Sequence, residues 1–158
     1  MEKLTAKDIM NREVLTVNTE LSLQGLAEFL IQNSISGAPV ISRNGKLTGV
    51  VSITDIIRYE TLLEKGLQSN GRHDFYFHTV QDRFSHQDLD SLHLGDESLV
   101  TVQDIMTSTI LEVGEEDTAQ QVADTMIKNR IHRVLVTREK EPIGIISTTD
   151  MLKVIRDR

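Results

Sequence analysis

Residues 5–59, TAKDIMNREVLTVNTELSLQGLAEFLIQNSISGAPVISRNGKLTGVVSITDIIRY, are answered by residues 101–155, TVQDIMTSTILEVGEEDTAQQVADTMIKNRIHRVLVTREKEPIGIISTTDMLKVI. Asp8-Ile9-Met10 recurs as Asp104-Ile105-Met106, Ile35 as Ile131, and Val40 as Val136. Gly49, Ser52, Thr54 and Asp55 recur as Gly144, Ser147, Thr149 and Asp150. The register is a shift of 96 that falls to 95 after Asn44-Gly45. Two copies are too few for a solenoid, so the expected outcome is two small units completing one core, with a cleft on their pseudo-twofold axis.

Each copy has a legible element order. Val14, Leu15 and Val17 form a short β-prone run, followed by Leu23, Leu26, Ala27, Leu30 and Ile31 at helical spacing behind a Ser22 N-cap. Residues 39–43 and 46–52 flank Asn44-Gly45, which predicts a hairpin closed by a type I′ turn, because that turn needs positive φ at both central residues. Thr54-Asp55 then opens a helix from Ile56, with Asp55 suited to cap it and Gly66 to end it. In the second copy Thr118 and Gln121 fit a capping box ahead of Val122, Ala123, Met126 and Ile127. Glu139 to Pro142 replaces the tight turn, Pro142 is tolerable at the start of an edge strand, and Asp150 begins the last helix. Each unit thus reads β-α-β-β-α.

Composition excludes several classes. The chain has 158 residues, 39% hydrophobic and 26% charged, enough for one domain with a real core. A net charge of -7 argues against a general phosphate-backbone binder, so no nucleic acid partner is expected. The absence of cysteine excludes disulfides, thiolate nucleophiles and thiolate metal sites. No apolar run reaches membrane-spanning length and the first residues lack a signal-peptide core, so the expectation is a cytoplasmic protein with no membrane partner.

The signatures D-I-M, then a helix, then I-x-x-x-P-V or I-H-R-V-L-V, then G-V-V-S-I-T-D or G-I-I-S-T-T-D, resemble those of CBS domains, the small repeat named after cystathionine β-synthase. The division expected is repeat 1 over 1–65, an insert over 66–98 and repeat 2 over 99–158. The resemblance implies an α+β tandem pair packed through its sheets about a pseudo-twofold axis. It also implies frequent further dimerisation into a disc, and binding of AMP, ADP, ATP or S-adenosylmethionine. On the same basis Thr16 matches a position lining the adenine pocket, whereas the aligned Glu112 would repel phosphate or prefer an amino group.

The Ser-x-x-Asp spacing also has a reading of its own. A chain leaving a strand at Ser52 and entering a helix by Asp55 brings a hydroxyl, unpaired N–H groups and the positive end of a helix dipole together, which favours a phosphate. Asp55 can accept both hydrogens of a ribose diol, and Ser147 with Asp150 repeats the arrangement; Thr54 and Thr149 add hydroxyls. Arg133, in Ile131-His132-Arg133, is the leading phosphate candidate because its fork is always charged. Gly37-Ala38-Pro39 is small and apolar and leaves room for a flat adenine at the Ala38 backbone, with Ser36 beside it a further candidate. Each also has a bland reading. Ser and Asp cap helices, Arg133 is a strand-end ion-pair partner, and His132 is a surface residue. The two DIM motifs read as core anchors without a ligand role.

The insert carries Phe75-Tyr76-Phe77, four of the five histidines (His73, His78, His86 and His93), and two basic against six acidic residues. Asp82, His86 and Asp90 fall at i, i+4 and i+8, but the spacing matches no closed metal site, and no metal is expected. Packing on the body, or docking a partner, is the reading preferred for it. With no P-loop, no nucleophile beside a base and no paired carboxylates with an evident acid, no catalytic residues are assigned and an enzyme ranks last. The preferred function is a regulatory sensor module that binds an adenosine ligand, AMP or ATP first, in the cleft between repeats. It would act as a homodimer on an unidentified effector protein and require no cofactor. The alternative is a ligand-free dimerisation scaffold whose insert docks the partner.

Overall fold

A computed structural model describes residues 3–65 and 100–157, without the side chains of 61–65; the insert, the expected Gly66 stop and the Asp82, His86, Asp90 trio lie outside it. The described residues gather into two compact units, one running from Thr16 through the first sheet with a segment ending at Ile110, the other joining the stretch up to Leu15 with Leu111 onward.

The first-sheet unit contains β1 (Val17–Asn18), α2 (Leu23–Gln32), β2 (Gly37–Ile41), β3 (Leu47–Ser52) and α3 (Ile53–Lys65). Its sheet order is β1-β2-β3, with β1 parallel to β2 and β2 antiparallel to β3. The apolar stripe of α2 buries Leu23, Leu26, Ala27 and Leu30 behind a Ser22 cap that accepts from Gly25 N at 3.0 Å, as expected. β1 is shorter than the β-prone run 14–17. Val17 pairs with Val40, so Thr16 would face Pro39, which has no N–H to give a further ladder bond.

The second-sheet unit contains β4 (Glu112–Gly114), α5 (Ala119–Asn129), β5 (Arg133–Arg138), β6 (Glu141–Ser147) and α6 (Thr148–Arg156). Its order is β4-β5-β6 with the same pairing senses. Leu135 replaces Pro39, and β4 gains the residue that β1 lacks, Glu112 pairing with Leu135. Thr118 and Gln121 form the expected capping box, and Pro142 sits near the start of edge strand β6.

The turns reverse the expectation. Of Asn44 and Gly45 only Gly45 has positive φ, at 77°, and its N–H donates to Ser42 O at 2.9 Å, so Asn44-Gly45 is not a type I′ turn. Glu139 and Lys140 carry φ of 50° and 69° between the paired Arg138 and Glu141. The two-residue mirror-image turn is therefore in the copy without glycine, because the first hairpin has one more residue in its loop.

Two short helices absent from the β-α-β-β-α reading complete the fold: α1 (Ala6–Ile9) and α4 (Val102–Ile105), the DIM motifs. Each is closed by a capping box, Thr5 with Asp8 and Thr101 with Asp104. Each packs on the sheet of the other repeat. α1 and its flanks bond into the second-sheet unit through Ala6 N to Asp117 O at 2.7 Å, Ala119 N to Leu4 O at 2.9 Å, and a two-way bridge between Asn11 and Ile145. α4 does the same in the first-sheet unit through Val102 N to Leu21 O at 2.9 Å and a two-way bridge between Val50 and Thr107. Ala6 and Val102 are wholly buried. The glycines shared by the repeats make room for this exchange. A Cβ on Gly144 would lie 2.7 Å from Met10 Cγ, and one on Gly49 would lie 2.5 Å from Thr107 O and 3.0 Å from Met106 Sδ.

Candidate functional site

Both strand-to-helix junctions are built alike, and neither uses Asp as the cap expected for a helix opening at residue 55 or 150. Both helices start earlier, right after serine. Ser147 is the N-cap of α6, and Asp150 in its first turn reaches back to Ser147 N and Oγ, both at 2.9 Å, while Asp150 N donates to Ser147 Oγ at 3.2 Å. In the first-sheet unit Ser52 N donates to Asp55 Oδ2 at 2.8 Å. The first N–H of each helix is also taken, Thr148 N by His132 O and Ile53 N by Ser36 O, both at 2.9 Å. These N–H groups, expected to be unpaired, are bonded within the chain.

The equivalent carboxylates differ in access. Asp55 is 5% exposed, Ser52 is buried with it, and Arg58 NH1 lies 3.8 Å from Asp55 Oδ1. Asp150 retains 20% side-chain exposure, with Lys153 Nζ at 3.3 Å from its Oδ1. Burial alone would raise the pKa of Asp150; bonds from the Ser147 backbone and hydroxyl, with the Lys153 ammonium, together hold it below the ordinary carboxylate value of 3.8.

Asp150 opens into a hollow of about 520 Å³ inside the second-sheet unit. Its other walls are Lys153 and Val154 of α6, Asp157 at its C-cap, and Leu4, Asp8, Ile9, Met10 and Asn11 of the α1 arm. The α6 wall is one face, since positions 150, 153, 154 and 157 recur at helical spacing. The arm presents a fixed polar edge. Thr5 N and Oγ1 bond Asp8 Oδ2 at 2.9 and 2.8 Å, which holds Asp8 below the ordinary carboxylate range. Leu4, Ile9, Met10 and Val154 supply apolar surface for a flat ring, and the carboxylates accept hydrogens from hydroxyl or amino groups.

The expected site residues divide accordingly. Asp150 is in the hollow, with Ser147 as its immediate partner. Arg133 pairs across the ladder with Ser147, is half-buried, and is not among the described residues lining the hollow. Ile131 is core, His132 is exposed with its carbonyl on Thr148, and Thr149 is exposed. In the first-sheet unit Gly37 and Ala38 are buried opposite Ser52 and Val51, Thr54 is half-buried on α3, and Thr16 is half-buried before β1. The residues that sequence reasoning passed over are those of the arm. The readable signal was that D-I-M recurs together with Gly144 and Gly49, a knob retained with its hole.

Among the described residues no group of three His, Asp or Glu side chains is placed to hold a metal, and no helix is long and apolar enough to cross a membrane.

Comparison with known proteins agrees with this architecture. An uncharacterized protein of Methanocaldococcus jannaschii, MJ1426, is 26% identical over 98% of this chain and 92% of its own length. Other relatives are longer; this chain spans only 22% of the L-aspartate semialdehyde sulfurtransferase of the same organism, at 23% identity over 94% of the chain. Among solved structures, the CBS domain pair of protein MJ0100 in complex with 5′-methylthioadenosine and S-adenosylmethionine superposes with a TM-score of 0.64 at 20% identity, over 99% of this chain and 98% of that one. CBSX2 in complex with AMP gives 0.66 at 22% identity, over 98% and 97%. The family model of the CBS domain matches twice, at residues 6–61 and 102–157. The duplicated motif, the two three-stranded sheets and these matches agree, and the chain belongs to the CBS-domain family as a tandem pair.

Proposed function

We propose that this chain is a regulatory module, without catalysis of its own, that binds an adenosine-containing ligand at Asp150 and passes occupancy to a partner protein. The observation carrying this reading is the hollow beside Asp150, where a carboxylate held ionised by Ser147 and Lys153 faces apolar surface of a size suited to a nucleoside. Asp150 would hold the ribose diol, and the apolar side chains of α1 and α6 would flank the base. Asp55, closed over by Arg58, would take a ligand only after that pair opens. A second copy of the chain is the partner proposed for α5 and α6, where Ile127, Leu152 and Ile155 are exposed. Lys128, Lys153 and Arg156 stand on the same helices beside Asp124 and the C-cap Asp157. A mixed-sign surface of this kind can complement its own copy about a twofold axis.

The test is mass spectrometry of small molecules released from freshly purified protein, followed by titration calorimetry with AMP, ATP and S-adenosylmethionine. Wild type is expected to bind at least one of them. Asp150→Asn keeps an oxygen for Ser147 N–H but loses the charge, and should weaken that ligand by about tenfold or more, the usual worth of a hydrogen bond to a charged group. Unchanged affinity in Asp150→Asn and Asp55→Asn alike would remove this assignment.

A further inference from the structure

The hollow at Asp150 takes five of its nine lining residues from the α1 arm, a segment of the first repeat seated on the sheet of the second. The arm is held by backbone bonds at Leu4, Ala6, Lys7 and Asn11, by the Lys7–Glu116 ion pair at 2.6 Å, by the buried Ala6 and by Met10 lying over Gly144. Its helix has four residues, and among the described residues 12–16 have no strand pairing before β1 begins at Val17. Helices this short do not persist in water without tertiary support. Segments held by few bonds are drawn from the low-stability end of a fold. Only with the arm docked is the hollow complete.

We propose that the α1 arm is the element that reports ligand occupancy, a ligand at Asp150 clamping residues 4–11 onto the second-repeat sheet and its departure releasing them. This rests on the reading of Asp150 as a ligand site. A ligand shifts an equilibrium only by its differential affinity for the two states, and here the difference is the arm's whole side of the hollow. By reciprocity, docking of the arm raises the ligand's affinity by the same factor by which the ligand favours docking, so loosening the arm weakens the ligand to the extent that it lowers the docked fraction. Because the arm precedes β1 in the chain, its release changes what the first repeat is attached to, which is how occupancy leaves the site.

Hydrogen exchange on the full chain, with and without saturating AMP or S-adenosylmethionine, is the direct experiment. The amides of Ala6, Lys7 and Asn11 are expected to slow by about fivefold or more, the lower range of allosteric coupling. Those of Val102 and Gln103, in the equivalent arm on the other sheet, should change less. Gly144→Ala, which crowds Met10 without lining the hollow, should weaken the same ligand, and Gly49→Ala should leave it unchanged. Binding with no added protection of residues 4–11 overturns the proposal while leaving the ligand site intact. Equal effects of the two glycine substitutions on affinity overturn it too. Failure of every adenosine probe to bind removes both readings.

Discussion

Asp55 and Asp150 occupy the same place in the duplicated motif, yet they differ in access. Asp55 is buried and pairs with Arg58, while Asp150 pairs with Lys153 at the edge of the hollow. Asp55→Ala is therefore expected to act on stability, by about 1–3 kcal/mol, because it strips the acceptor from the buried Ser52 N–H; urea denaturation measures it. Asp150 supplies a pH dependence. Its folded pKa lies below the ordinary 3.8, so the stability it contributes is fully present above that value and is lost as pH falls through the lower folded one. In acid titrations followed by circular dichroism, wild type should therefore lose stability relative to Asp150→Asn only below about pH 4, with the two running parallel from pH 5 to 7. The Ser-x-x-Asp pattern was legible as a strand-to-helix junction, but its geometry was not. The serine, not the aspartate, caps the helix, and this puts the carboxylate one turn in, where it consumes donors that a phosphate would have used.

The order β-α-β-β-α was readable from periodicity, since apolar stripes such as Leu23, Leu26 and Leu30 and the alternating strands are local patterns. The turn types were not. Asn44-Gly45 had the right residues, but loop length set the register, and Glu139-Lys140 took positive φ under the pull of the Arg138–Glu141 pair. The docking of α1 and α4 was hidden for a different reason, being a long-range exchange of which local periodicity carries no trace. It makes a specific expectation at Gly49 and Gly144. Either substitution to alanine should cost about 1–3 kcal/mol, the range for overpacking. Met10→Ala should recover much of the loss in Gly144→Ala, because the obstructing atoms belong to a flexible side chain. Met106→Ala should recover little in Gly49→Ala, where the nearest atom is the Thr107 carbonyl. A double-mutant cycle read by thermal unfolding distinguishes the two.

For the whole molecule, the repeat boundaries and the compact units are two different divisions of one chain, because each repeat lends its first helix to the other's sheet. The family was legible because its motifs recur in order, whereas the hollow needed both repeats in place to exist. Exposed Leu152 and Ile155 on α6, at 60% and 70%, bear on assembly. Light scattering coupled to gel filtration should give a dimer for wild type, and Leu152→Glu with Ile155→Glu should give a monomer with unchanged circular dichroism; a wild-type monomer would exclude this face as a self-contact.

The traded helices also bind the two copies to a common history. A change in Met10 is judged by a strand some 130 residues away, and a change in Gly49 by a loop that entered with the duplicate. Neither copy can drift alone, and deleting one strips a wall from the survivor, so the pair is inherited as a single unit of selection.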